Sequence, residues 1–425
     1  MKYIINTILL GLVFLFISSS CGILPRRYNQ TTQKTQEEQT INKTVSVSIK
    51  TGADNYIQYL PLIKDKSIGV ITNQTGVVSS LKTDATSLPQ NTTISTTNKS
   101  LVDFLLENNV NLKKIFAPEH GFRGTADAGE HLVDGKDTKT GLPIISLYGN
   151  NKKPKPEQLQ GIDIMIFDLQ DVGARFYTYI SSLHYIMEAC AENNIKLLVL
   201  DRPNPNGTIV DGPILEKEHS SFVGMHPIPL LHGMTIGEYA QMINGEKWLK
   251  NQVQCNLVVI PCVNYTREMP YSLPVKPSPN LPNDQSINLY ASLCLFEGTN
   301  VSVGRGTEAQ FQIYGSPFLP KSDFNFTPVP NFGAKEPVYK NQLCYGENLT
   351  SIPKVTKLEL KWLIKAFNTT TDKTKFFNDF FTKLAGTKKL QQQIIDGVSE
   401  VEIRKSWEKG LQDFKEMRKK YLIYK

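Results

Sequence analysis

Three short apolar runs in this sequence end in carboxylates. "IFAPE" delivers Glu119, "IMIFDLQD" delivers Asp168 and Asp171, and "LLVLDRPNPNG" delivers Asp201. Arg123, Arg175 and Arg202 sit beside these acids in loops rich in glycine, proline and asparagine. Further along, "LFEGTNVSVGRGTEAQF" sets Glu297 between apolar residues and a Gly-rich turn that also carries Arg305. Paired carboxylates can cleave a glycosidic bond. One is held protonated by its surroundings, and the other acts as base, nucleophile or electrostatic stabiliser. Taken singly, each acid has a structural alternative, because aspartates at strand ends also cap helices and pin loops. For Glu297 the structural and functional readings are balanced. The recurrence on separate strands is what points to a site.

Other chemistries leave weaker marks. His120, His131 and His232 could join the acids around a metal, but no HExxH or other close ligand spacing exists among the six histidines. No G-x-S-x-G elbow marks a nucleophilic serine. "TNQTGV" stands where a dinucleotide fold would carry G-x-G-x-x-G, and "VGRGTEAQ" holds only a fragment of that pattern. A site without metal or nucleotide cofactor is therefore expected. In "HGMTIGEYA", Thr235 and Glu238 are spaced as a capping box, which assigns Glu238 to the following helix. His232, just before them, either faces the site or closes the turn. The aromatics of "FYTYISSLHY" (176–185), Tyr177 among them, are read mainly as core, with a capacity to stack on a sugar face.

The elements that must hold these residues are legible from periodicity. Strand patterns fall at 67–72, 112–117, 143–148, 162–167, 195–200 and 255–261. Helical patterns fall at 100–109, with Ser100 and Asp103 spaced as a capping box, and at 176–193 and 235–246. Strands that are apolar throughout and alternate with helices predict an α/β fold with a mostly parallel, doubly covered sheet. Its binding site should lie outside the carboxyl ends of the strands. The Thr/Asn-rich stretch 82–99 has no periodicity and is read as a surface-loop insertion. Five prolines in 266–285 predict a rigid crossing to a second region. That region reads strand-like and Gly-rich over 291–315. It closes with a helix whose Trp407, Leu411, Phe414 and Tyr421 share one face.

The amino terminus carries an address. Lys2 precedes an apolar run from Ile4 to Ile17 that is short for a membrane span and suits a signal segment. It ends in "SSSCG", which resembles a bacterial lipobox with Cys21 as the lipidated residue. Residues 1–21 are thus expected to be a lipoprotein signal, and 22–60 a polar tether holding the folded body off the membrane. The expectation is an anchored lipoprotein of the cell envelope, facing the periplasm. Five further cysteines lack CxxC spacing and read as core thiols, with room for one bridge. Of 425 residues, 40% are apolar and 20% charged, and the net charge of +7 comes without a dense basic block, which argues against nucleic acid.

Six blocks carry a resemblance: "FAPEHGFRGTADAGE", "DLQDVGARFYTYISSL", "LDRPNPNG" with "DGP", "LLHGMTIGEYA", "PSPNLP" and "FEGTNVSVGRGT". In this order they resemble the exo-β-N-acetylmuramidase family, from about Lys66 to the C-terminus. The resemblance implies a Rossmann-like domain (61–265), a smaller α+β auxiliary domain (266–425) and a cleft between them. It implies release of N-acetylmuramic acid from the non-reducing end of peptidoglycan fragments, in cell-wall turnover. Carried over by position, "PEHG" makes Glu119 the first choice for general acid. Asp168, Asp171, Asp201 and Glu297 are candidates for its partner, and the sugar's own 2-acetamido group is an alternative nucleophile. Around them His120, Arg123, Tyr177, Asn204, His232 and Asn300 are expected to bind substrate. The lactyl carboxylate of muramic acid calls for a cation, with Arg175, Arg202 and Arg305 at hand. The insertion at 82–99 departs from the family pattern and leaves specificity open. A non-catalytic muropeptide-binding lipoprotein and a metal-dependent hydrolase are the alternatives.

Overall fold

Apolar side chains on both faces of each central strand set the architecture. The computed structural model describes residues 48–83, 94–119, 121–123 and 134–425. Nine strands precede residue 261 among these residues: β1 (Ser67–Thr72), β2 (Val77–Thr83), β3 (Ile94–Ser100), β4 (Asn111–Ala117), β5 (Gly135–Lys136), β6 (Pro143–Ser146), β7 (Ile164–Asp168), β8 (Lys196–Leu200) and β9 (Leu257–Ile260). Seven of them form the main sheet in the order β5-β6-β4-β1-β7-β8-β9. All neighbours are parallel except the short edge strand β5. From β1 the chain builds outward through β4 and β6, then returns to add β7, β8 and β9 on the other side. The switch point between β1 and β7 is where such sheets open a crevice for a ligand.

Successive residues of one strand enter different cores, as a period of two requires. Ile68, Val70, Ile164, Ile166, Leu198 and Leu200 pack with the helices Tyr56–Ile63 and Leu101–Glu107. Ile71, Met165, Phe167, Leu197 and Val199 join the larger core with the helices Tyr179–Glu192 and Ile236–Gly245. That larger core continues into the C-terminal half through Phe296, Trp362, Phe381 and Trp407. There a small antiparallel sheet, β10 (Ile313–Ser316), β11 (Asn325–Phe326) and β12 (Cys344–Asn348), is flanked by helices that end with Glu400–Arg418. The chain is α/β, Rossmann-like, with a smaller C-terminal domain sharing its core.

Several local expectations need correction. The insertion at 82–99 is not wholly loop, because β2 and β3 pair as an antiparallel hairpin from Val77↔Ser100 to Thr83↔Ile94. The stretch from 291 begins helical rather than extended, as the end of Asp284–Leu293 followed by a tight turn over Cys294–Gly298. Ser100 caps its helix without a side-chain hydrogen bond, and Asp103 pairs with Lys139 instead. The stretch expected to be a tether to residue 60 has joined the fold by Lys50, which bridges to Val263, and Tyr59 is fully buried. Cys21 lies outside the described residues. Cys190, Cys255, Cys262, Cys294 and Cys344 are all buried free thiols, so the bridge does not form. Among the described residues no helix is long and apolar enough to cross a membrane.

Candidate active site

At the carboxyl end of β4 the chain turns sharply. The Gly121 N–H donates to the Pro118 carbonyl at 3.0 Å, with Gly121 at φ +73°, a conformation glycine adopts without steric cost. The turn sets the half-buried Glu119 on the wall of a cavity of about 220 Å³. Thr178 Oγ1 donates to Glu119 Oε2 at 2.8 Å and the Tyr148 hydroxyl to Oε1 at 3.3 Å. Thr178 is available because the helix Tyr179–Glu192 starts immediately after it. Tyr177 and Tyr179 stack edge-to-face at 4.8 Å, and Tyr177 meets Tyr290 in the same way at 5.9 Å. The Tyr177 hydroxyl donates to the Pro277 carbonyl at 2.8 Å, so its ring, rather than its polar end, belongs to the cavity.

Glu297 and Arg305 line the same cavity from the C-terminal half. Arg305 Nε donates to Glu297 Oε1 at 2.6 Å, and the guanidinium sits 5.0 Å over the Phe311 ring. Burial works against the Arg305 charge, but the neighbouring Glu297 more than offsets it and holds the guanidinium above its ordinary range. Ser278 and Leu281, from the Pro-rich crossing, complete part of the wall. The prolines therefore form one side of the cavity as well as joining two regions.

The other expected site residues lie elsewhere, and each has a structural task. Asp168 and Arg202 are both fully buried and doubly bonded, Nε to Oδ1 at 2.6 Å and Nη2 to Oδ2 at 2.9 Å, and Nη2 also meets the Val77 carbonyl at 3.0 Å. Burial pushes the Asp168 carboxyl up and Arg202 pulls it back; with both oxygens accepting guanidinium N–H groups, the pair is an ion pair. Asp201 accepts from the Gly237 N–H (2.7 Å), Thr235 Oγ1 (2.7 Å) and the Tyr424 hydroxyl (2.6 Å), which ties β8 to a helix start and to the chain's end. Burial pushes its pKa up to about 6. Glu238 completes the expected capping box with Thr235 and pairs with Arg267 at 2.6 Å.

Arg175 carries no lactyl-binding role in this geometry. Its guanidinium is buried and donates to four carbonyls, those of Pro213, Ile228, Leu384 and Ala385, at 2.7–3.0 Å. Two of these belong to the last turn of Phe380–Ala385, where a cation also suits the helix dipole. Burial pulls its pKa down to about 9. Asp171 accepts the Gly173 N–H at 2.7 Å and lies 3.6 Å from His232 Nε2, both side chains being buried away from the cavity. His232 thus faces Asp171 inside the fold, not a substrate. Asn204 holds the Met234 carbonyl at 2.9 Å. Arg123 pairs with Asp137 at 2.7 Å and covers Phe122, and half-buried Asn300 is occupied through its backbone by Phe376 and Tyr339. Neither Arg123 nor Asn300 reaches the cavity wall. His120 and His131 lie outside the described residues.

The models for the N-terminal and C-terminal parts of the exo-beta-N-acetylmuramidase NamZ match residues 68–285 and 288–424. The chain belongs to the NamZ family. The peptidoglycan beta-N-acetylmuramidase NamZ of Bacillus subtilis (strain 168) is 39% identical with full coverage of both chains. Two solved structures of DUF1343 family proteins from Bacteroides fragilis are similar. One is 44% identical with a TM-score of 0.78, the other 29% identical with a TM-score of 0.70; in each case 89% of this chain and 99% of the other are covered.

In this NamZ-family cavity the residues that sequence reasoning missed are Tyr148, Thr178, Tyr290, Phe311 and Phe380. Thr178 carried a signal, since it sits in the "RFYTY" block next to a helix start. Phe380 carried none; it arrives from a helix more than 200 residues beyond Glu119 in the chain. Chemically, the cavity offers one carboxyl held by hydroxyl groups, a second held by a guanidinium, and aromatic edges around both. That set suits bond cleavage next to a sugar ring.

Proposed function

We propose that this chain is an exo-acting glycoside hydrolase that releases N-acetylmuramic acid from the non-reducing end of peptidoglycan fragments, in cell-wall turnover. The reading rests on one observation: in a chain of the NamZ family, Glu119 and Glu297 face a single cavity sized for a terminal sugar, with Arg305 on the same wall as Glu297. Glu119, whose oxygens meet the hydroxyl groups of Thr178 and Tyr148 among the described residues, is assigned the proton transfer to the leaving oxygen. Glu297 is assigned the partner role, stabilising positive charge at the anomeric carbon or orienting the 2-acetamido group. Arg305 uses Nε on Glu297 and makes no further hydrogen bond to the described residues, so its Nη groups are the cation for the lactyl carboxylate.

The test is release of free N-acetylmuramic acid from a disaccharide of N-acetylmuramic acid linked to N-acetylglucosamine, with EDTA present. Wild type should release the sugar, and Glu119→Gln should lose about 10²–10⁴ in kcat while keeping its melting temperature. Equal release by both would remove Glu119 from the chemistry. Binding without release by the wild type would favour a non-catalytic muropeptide-binding protein.

We also propose that Cys21 carries a lipid anchor and that the body faces the periplasm of a bacterial envelope. The support is the apolar run ending in "SSSCG". Detergent-phase partitioning should be lost in Cys21→Ala; partitioning that survives the change rules the anchor out.

A further inference from the structure

A second hollow of about 470 Å³ adjoins the catalytic cavity, and the two share Glu297, Arg305 and Phe380 as walls. Its own lining is different in kind. Val301, Val303, Ala334, Pro337 and Val338 make it mainly apolar, with Thr299, Ser302 and Glu336 as its own polar groups and no further arginine or lysine. Arg305 is thus the cation common to both spaces, and the second adds mostly apolar contact. Phe380 is 38% exposed, so one ring edges both spaces. Pyranose rings present apolar C–H faces that pack on aromatic and aliphatic surfaces of this kind.

The segment that forms the outer wall is built to stay in place. Across residues 328–341 it closes on itself through the Asn341 N–H to the Pro328 carbonyl at 2.8 Å. It is fastened to the strip carrying Arg305 by Val329 N–H to the Gly306 carbonyl (2.9 Å), Asn331 Nδ2 to the Thr307 carbonyl (3.1 Å) and the Tyr339 hydroxyl to the Asn300 carbonyl (2.8 Å). Gly306 has φ +78°, and a Cβ there would lie 2.7 Å from Pro337, so only glycine lets the two strips touch. This pinned loop nonetheless leaves Val329 49%, Phe332 66% and Val338 57% exposed. An anchored wall with uncovered apolar side chains beside a reactive cavity is suited to a ligand that reaches out of that cavity.

We propose that the second hollow is the leaving-group subsite, holding the sugars on the reducing side of the scissile bond. This rests on the muramidase reading above and adds a substrate preference to it. The terminal muramic acid occupies the smaller cavity, the bond to be cut lies near Glu297 and Phe380, and the remainder of the glycan runs over Pro337 and Val338. The enzyme should then favour glycan chains over muramides with a small leaving group.

The experiment compares wild type with Val338→Asp, an exposed position outside the catalytic cavity, on two substrates. One is N-acetylmuramyl fluoride, whose leaving group is too small to reach Val338. The other is a tetrasaccharide with N-acetylmuramic acid at its non-reducing end. The variant should raise KM for the tetrasaccharide about tenfold, equivalent to about 1.4 kcal/mol, and leave the fluoride unchanged. No change on either substrate overturns the subsite, and so does an equal loss on both, which would place the effect in the catalytic cavity. Failure of wild type on both substrates would defeat the muramidase reading itself.

Discussion

Two arginine–carboxylate pairs in this molecule share one bond and differ in everything around it. Arg202 Nε meets Asp168 at 2.6 Å, and Arg305 Nε meets Glu297 at 2.6 Å. The first pair has side-chain exposures of 1% and 0%, the second 23% and 25%. Asp168 sits at the switch point of the sheet, in register with Thr72 of β1, where a ligand would be expected in a fold of this type. Yet Arg202 fills the place, and its Nη2 also donates to the Val77 carbonyl. The Glu297 pair is left open on one side, above a cavity. A carboxylate and an arginine at the end of an apolar run are thus a signature of two opposite things: a closed internal brace, or a charged wall awaiting a ligand. Only the exposure of the unused donors separates them.

That contrast can be broken by removing one partner at a time. Asp168→Asn leaves Arg202 buried without its counter-charge and should lower unfolding free energy by about 3–5 kcal/mol, read from urea denaturation. A loss below 1 kcal/mol would mean that the brace is not structural. Asp201 belongs with the brace, and its pH behaviour sharpens the point. Its folded pKa is raised to about 6, so its contribution is complete below about pH 4 and is lost as pH rises through 6. Across that window wild type should lose about 2–3 kcal/mol relative to Asp201→Asn. Parallel stability curves for the two proteins would show that Asp201 does not titrate there. The smallest stability effect is expected at the cavity. Arg305→Met should shift stability by less than about 1 kcal/mol, because the pair is partly solvated. Its kcat/KM toward muramic-acid-terminated sugars should still fall by about 10–100-fold. An Arg305 variant that unfolds like Asp168→Asn would make the two pairs equivalent.

Much of the sheet was legible because burial on two faces forces a sequence pattern. The strands at 67–72, 112–117 and 195–200 lie within a residue of their expected bounds, and the T-x-x-E box at Thr235 forms as spaced. The hairpin β2–β3 was not legible, since Thr- and Asn-rich strands carry no apolar alternation to reveal them. Among the candidate catalytic acids, Glu119 and Glu297 reach the cavity, whereas Asp168, Asp171 and Asp201 were indistinguishable from them in sequence. All five end or follow apolar runs and all have polar neighbours.

The sequence by itself determined that this is an α/β chain with acids on the carboxyl rim of a parallel sheet, because side-chain periodicity and strand-end loops are local properties. Its motif blocks also determined the family. Which of those acids reach the cavity was decided only by tertiary structure. The partner that silences Asp168 is 34 residues away, the hydroxyl that holds Asp201 is 223 residues away, and the wall opposite Glu119 comes from the other half of the chain. A carboxylate becomes available to a ligand when the distant groups packed around it leave it on the wall of an open space, and no local spacing encodes that.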